Sequence, residues 1–207
     1  VCGVLVAGAV VWIVLDILRR RPKKARGTAS YVSNQAVYDR ISRETDEAVR
    51  RYVEAVNRRG LLRKSALYER PWLLLLGPPR SGKTSLLKGS GLHFPLTYPS
   101  EHDGMSVEGA MQTSWYFANE GVWIDTPGVL AEDTGKDEWQ ALVASLAKAR
   151  PVKPVDGVAI VVNAEEILTA DDRHTKRLAQ GLRSRLDEVI AQWGIEFPVY
   201  LILNHTD

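Results

Sequence analysis

Trp72-Leu73-Leu74-Leu75-Leu76-Gly77-Pro78-Pro79-Arg80-Ser81-Gly82-Lys83-Thr84-Ser85 joins two signals. The five residues from Trp72 to Leu76 form a short apolar run, suited to a strand buried on both faces of a parallel sheet. Gly77 to Thr84 then satisfies the pattern G-x-x-x-x-G-K-[ST], a glycine-rich loop that cradles phosphates. In such a loop the backbone N–H groups of Gly77, Arg80 to Ser85 and the start of the following helix point at phosphate oxygens; Pro78 and Pro79 contribute only their carbonyls and rings. The Lys83 ammonium reaches the terminal phosphates, and the Thr84 hydroxyl ligates Mg²⁺. Arg80 is a bulky cation at a loop position that is often small, free to bind phosphate or face solvent. The competing reading is a strand-to-helix turn that binds nothing.

Downstream, Ser114 to Asn119 and Val122 to Asp125 read as a hairpin around Asn119-Glu120-Gly121. It ends in Asp125-Thr126-Pro127-Gly128, a D-x-x-G match 42 residues after Lys83. Asp125 is expected to hold Mg²⁺ with Thr84, and the Gly128 amide to sense the terminal phosphate. Val129 follows, where related enzymes place a glutamine that orients water, so hydrolysis should be slow or assisted from elsewhere. Lys83, Asp125 and Glu132 are the catalytic candidates, with Asp133 a further acid nearby.

Apolar runs at 157–162 and 197–203 alternate with helices expected at 139–149 and 171–193, which implies an α/β sandwich with a mostly parallel sheet. The last run leads into Asn204-His205-Thr206-Asp207, similar to the [NT]-K-x-D guanine loop. Asn204 and Asp207 are therefore candidate base readers. His205 in place of lysine leaves GTP and ATP both open. The acidic pairs Glu165-Glu166 and Asp171-Asp172 read as solvated helix starts.

Upstream, the 207-residue chain is asymmetric in charge. Residues 1–70 carry 15 basic and 7 acidic side chains, a net of +8, and residues 71–207 a net of −6. Val1 to Leu15 holds no charge and is followed by Arg19, Arg20, Arg21, Lys23, Lys24 and Arg26. That order fits the end of a membrane-spanning helix (1–18) and a basic juxtamembrane segment (19–31), with everything after about residue 19 cytoplasmic. A signal peptide would carry its positive charges first. No aromatic platform accompanies the basic run, which argues against nucleic acid. The chain opens on Val1 and reads as a piece of a longer protein. Residues 32–66 form a helical connector, in which Val37, Ile41, Ala48, Val49, Tyr52, Val53 and Val56 share one face. That stripe serves either packing on the next domain or a partner protein. Ser30 and Ser33 are candidate caps and Gly60 a candidate stop. Residues 67–207 are the expected nucleotide-binding domain. A single Cys excludes an internal disulfide framework, and the four histidines lack ligand spacing.

Several segments resemble the IcmF/TssM family, the large inner-membrane subunit of bacterial type VI secretion systems. They are Leu67-Tyr68-Glu69-Arg70-Pro71-Trp72, Ser90-Gly91-Leu92-His93-Phe94-Pro95-Leu96, Trp115-Tyr116-Phe117, Glu138-Trp139, Arg150-Pro151-Val152-Lys153-Pro154-Val155-Asp156-Gly157-Val158 and Gly194-Ile195-Glu196-Phe197-Pro198-Val199-Tyr200. The resemblance implies a P-loop NTPase of GTPase-like, three-layer form behind a membrane anchor, using Mg²⁺ with GTP or ATP. It also implies a homo-oligomeric place in an inner-membrane complex, with an IcmH/DotU-type subunit and an outer-membrane lipoprotein as partners. Two departures stand out. Gly109-Ala110-Met111 replaces the family's Gly-Thr-Arg run, leaving Thr113 as the nearest switch threonine, and Pro127 stands where alanine is common. Two other readings compete. One is a scaffold with a vestigial fold that acts through protein contacts. The other is a ring- or transporter-type ATPase, disfavoured because no glutamate follows Asp125 and no L-S-G-G-Q stretch occurs.

Overall fold

A computed structural model of the protein describes residues 34–56, 63–98 and 112–205. The expected membrane-spanning and basic segments at 1–31, the caps Ser30 and Ser33, the stop at Gly60 and the base reader Asp207 lie outside the described residues. Among the described residues, no helix is long and apolar enough to cross a membrane.

The elements run α1 (Gln35–Val56), α2 (Arg63–Leu67), β1 (Trp72–Leu76), α3 (Lys83–Gly89), β2 (Leu96–Tyr98), β3 (Ser114–Phe117) and β4 (Val122–Asp125). Two 3-10 turns, Gly128–Ala131 and Asp133–Gly135, lead into α4 (Lys136–Ala149), β5 (Gly157–Asn163), α5 (Ala164–Thr169), α6 (Asp172–Trp193) and β6 (Val199–Asn204). The fold is mixed α/β with one six-stranded, mostly parallel sheet in the order β2-β3-β4-β1-β5-β6. β4, β1, β5 and β6 run parallel, and β2 and β3 add an antiparallel edge. The register sets Leu75 beside Asp125, Leu76 beside Ile160 and Asn163 beside Asn204. The C-terminal ends of four strands therefore open onto one edge, where ligands of open α/β sheets bind.

Helices cover both faces. Side chains alternate along each strand, so Trp72, Leu74, Leu76, Val122, Ile124, Val158, Ile160 and Val162 face the large core shared with α1, α4 and α6. Leu75, Ala159 and Val161 point the other way, toward Leu86 and Leu87 of α3. The apolar stripe of α1 packs on α4 within the chain, burying Ile41, Ala48, Val49, Tyr52, Val53 and Val56. Asn34 caps the helix, its side-chain oxygen accepting the Val37 N–H at 3.3 Å. Tyr52 stacks on Phe117 at 5.6 Å between centroids and meets Trp72 edge-on at 5.9 Å, so α1 shares the core that supports β1.

The start of β1 is pinned by Arg150. Its guanidinium lies 4.7 Å from the ring centres of both Tyr68 and Trp72 and pairs with Asp156 at 3.0 Å. Asp156 also accepts the Trp72 N–H at 2.8 Å. The family-like stretch at 150–158 thus fixes the end of β1 opposite the ligand edge.

Candidate functional site

β1 ends at Leu76, and the chain turns at Gly77 into a loop that closes on α3. The loop's shape depends on Gly82, whose φ of +81° suits glycine and whose missing Cβ leaves room for Asn204. Lys83 is only 7% exposed. Its ammonium donates to Gly77 O at 2.8 Å, Pro78 O at 2.9 Å and Ser81 Oγ at 3.3 Å, inside the curve of the loop. Burial pushes the Lys83 pKa below its ordinary range, with the Asp125 charge opposing.

Asp125 ends β4 across from Leu75, and the residue is 6% exposed. The Thr84 hydroxyl donates to Asp125 Oδ2 at 2.5 Å, while Oδ1 is buried without a hydrogen-bond partner among the described residues. Burial pushes the Asp125 pKa up, against the Thr84 hydrogen bond and the Lys83 charge. A buried carboxylate oxygen without a donor, beside a threonine hydroxyl, is a donor set that fits Mg²⁺. Such sites take one or two protein oxygens, completed by phosphate and water. Among the described residues no group of three or more His, Cys, Asp or Glu side chains gathers to hold a metal.

These residues line a groove of about 390 Å³ that takes in Pro79, Arg80, Ser81, Gly82, Lys83, Thr84, Ser85, Asp125 and Gly128. Sequence reasoning had pointed to each of them. It had not pointed to Gln112 and Ser114, which also line the groove, Ser114 in register beside Asp125. Pro78 faces an adjoining cleft, and Thr113 is buried at 7% exposure with its neighbour Gln112 in the groove instead. Glu132 and Asp133 line that cleft, of about 1020 Å³, rather than the groove. The larger cavity is thus beside the chemistry and shares only Pro79 and Arg80 with it. Asn204 comes to the back of the loop, donating to Ser81 O at 3.3 Å and Gly82 O at 3.5 Å. It braces the loop.

Behind Asp125, the Thr126 hydroxyl donates to Leu75 O at 2.6 Å. The chain then passes Gly128, where a Cβ would collide with the backbone of Pro78 and Pro79. The segment after it is held from α6 by Arg185, 3% exposed. Its guanidinium donates to Leu130 O at 2.8 Å, Glu132 O at 2.5 Å and the Glu188 carboxylate at 3.1 Å. Arg185 was not picked out from the sequence. The available signal was a cation on the buried face of α6, among Leu182, Leu186 and Val189.

The family profile described as "IcmF-related N-terminal domain" matches residues 132–207. The chain is 35% identical over 147 residues to the Type VI secretion system component TssM1 of Pseudomonas aeruginosa. That match takes in 68% of this chain and 13% of the relative's length. Among solved structures, the small COPII coat GTPase SAR1 of Encephalitozoon cuniculi, in complex with GDP, aligns over 86% of each chain at 13% identity. Its TM-score is 0.26, a likeness too distant to bear on the fold or the site.

Proposed function

Since the chain belongs to the IcmF/TssM family, we propose that it is the nucleotide-binding part of a type VI secretion component, anchored in the bacterial inner membrane. In this reading the fold is a P-loop NTPase of GTPase-like form, and the groove binds Mg²⁺ with GTP or ATP. Loop amides and Lys83 take the phosphates. Thr84 and Asp125 hold Mg²⁺, which supplies neutralisation of phosphate charge. The observation that carries the reading is the pair of buried, mutually opposed charges at Lys83 and Asp125, with Asp125 Oδ1 lacking a donor. A turn that binds nothing has no use for a buried ammonium and a buried carboxylate, each of which is costly away from water.

Hydrolysis, where it occurs, is slow, because Val129 has no group that hydrogen-bonds water. Guanine selection falls to Asp207, since the Asn204 amide N–H is turned to the loop. The IcmH/DotU-type subunit, the outer-membrane lipoprotein and further copies of the chain are the proposed neighbours, with residues 1–18 in the membrane.

Equilibrium binding of fluorescent GTP and ATP analogues in Mg²⁺, with and without Lys83→Ala, tests the reading. Binding that is lost in the variant and in EDTA supports it. A folded protein that binds neither nucleotide would make the domain a scaffold acting through protein contacts. Binding that prefers adenine would leave the phosphate site standing and remove Asp207 as a guanine reader.

A further inference from the structure

Arg80 is the non-glycine residue of the loop with a left-handed backbone. Its backbone is left-handed, with φ of 59°, a conformation that glycine adopts freely and a long side chain does not. Its side chain is exposed and, among the described residues, makes no hydrogen bond or ion pair. Glu132, Asp133, Glu165 and Glu166 all line the cleft that Arg80 also lines, yet none of them pairs with it. Arg80 lies on the seam between that cleft and the phosphate groove, and lines both. A strained backbone that gains no contact in return marks a position kept for something other than stability.

The groove itself shows what is missing. Lys83 is held low in the loop by three oxygen acceptors, and the segment after Asp125 offers Val129 where a water-orienting group would be useful. Catalysis here must therefore rest on charge rather than on positioning of water. During hydrolysis the water oxygen bonds to the terminal phosphorus as the bond from phosphorus to the β–γ bridging oxygen breaks. The bridging oxygen keeps the electron pair as part of the nucleoside diphosphate, and the water proton ends on the released phosphate. Negative charge grows on the bridging oxygen and on the transferring group. A guanidinium whose donors meet no partner among the described residues is suited to meet it.

We propose that Arg80 is a catalytic cation supplied in cis, swinging from the seam into the groove to neutralise charge at the β–γ bond in the transition state. The proposal rests on the nucleotide reading above, and its test separates the two. Release of a fluorescent nucleoside diphosphate from the protein in Mg²⁺ is measured first, then with aluminium fluoride, which mimics the transferring phosphoryl group. The wild-type protein should bind the diphosphate, and aluminium fluoride should slow its release by about 100-fold or more. Arg80→Ala should keep diphosphate affinity within about threefold and lose most of the slowing, as expected for a contact made only in the transition state. Arg80→Lys should recover little of it, because a point charge lacks the planar fork, while millimolar guanidine added to Arg80→Ala should restore part.

Retained trapping in Arg80→Ala would overturn the proposal. So would an equal loss of diphosphate binding and trapping, which would make Arg80 a ground-state phosphate anchor. Wild-type protein that binds diphosphate but ignores aluminium fluoride would also overturn it, leaving the nucleotide reading in place. Failure to bind diphosphate at all would take both down. Arg80→Gly gives an independent readout: relief of the left-handed strain should raise the urea midpoint while trapping is lost.

Discussion

Replacing Arg185 by Met keeps the length and apolar stem of the side chain on α6 and deletes its three hydrogen bonds. Leu130 O receives the guanidinium at 2.8 Å, and no other donor to it is seen among the described residues. Its loss leaves a buried carbonyl without a partner, at about 2 kcal/mol. Glu132 O still accepts the Gly135 N–H at 3.3 Å, so losing the guanidinium there costs less, about 1 kcal/mol. Glu188 is 29% exposed on its side chain and can turn to water, adding little. The sum is about 3 kcal/mol, a large share of the roughly 5–15 kcal/mol that holds a domain folded. Urea denaturation of the wild type, Arg185→Met and Arg185→Lys measures it. Lysine reaches one carbonyl but not both, and should recover less than half. Limited proteolysis should show new cutting within 128–135 in Arg185→Met under native conditions, because the clamp acts on that segment. A Met variant within about 0.5 kcal/mol of the wild type, with no new cutting, would refute the reasoning, since surface changes fall in that range.

Three further outcomes follow from the same geometry. Asp125→Asn should abolish Mg²⁺-dependent nucleotide binding yet stabilise the ligand-free protein at neutral pH. Burial raises the Asp125 pKa above its ordinary 3.8, so the penalty of the ionised carboxylate is fully present above the folded pKa and fades as pH falls toward 3.8. Urea midpoints of the two proteins should therefore converge in acid. Gly82→Ala combines a φ of +81° with a collision at Asn204, and should cost about 1–3 kcal/mol while loosening the brace on the phosphate loop, read as a fall in Tm and in nucleotide affinity. Arg150→Met removes a buried partner of Asp156 and a cation held between two rings, a loss of about 3 kcal/mol by denaturation. It lies at the opposite end of β1, so nucleotide affinity should hold.

Much of this architecture is legible in the residues because its main signals are local. Trp72 to Leu76 announces a buried strand by being apolar throughout, and the loop after it is specified by residue types at fixed spacing. The hairpin follows from its turn residues, the two later strands from their apolar runs, and α6 from leucines spaced four apart. What escaped the sequence depended on distant partners. β2 is three residues long and exists because Leu96 and Tyr98 find Phe117 and Trp115 across an antiparallel pair. α5 is a six-residue helix whose start the Glu165-Glu166 pair signalled, but whose cap, the Asn163 side chain accepting two backbone N–H groups, was not read, and which is too short to show a period. Arg185 was hidden for a different reason. Pattern reading sends a cation to solvent, and only the turn at Leu130 and Glu132 explains why this one points inward. Asn204 illustrates the same limit at the site. Its place in a guanine-like tetrapeptide suggests contact with a base, but strand order sets the end of β6 behind the phosphate loop, where its amide meets Ser81 and Gly82.

The two ends of the sheet also differ in how well their local choices agree. At the Arg150 end, a guanidinium meets two rings and a carboxylate, and that carboxylate receives a backbone N–H. Charge and burial largely support one another there, while the buried Arg150 Nε and Trp72 Nε1 have no hydrogen-bond partner among the described residues. At the ligand edge they conflict. A buried ammonium and a buried carboxylate are both pushed toward their neutral forms, and Asp125 Oδ1 has no donor. Among the described residues, both non-glycine positions with positive φ, Arg80 and His205, sit on or against the same loop. A sequence selected for stability alone would place neutral groups and glycine at those positions. The gathering of a buried ammonium, a buried carboxylate and two left-handed non-glycine residues around one groove is what supports the proposed ligand, one bearing negative charge together with a divalent cation.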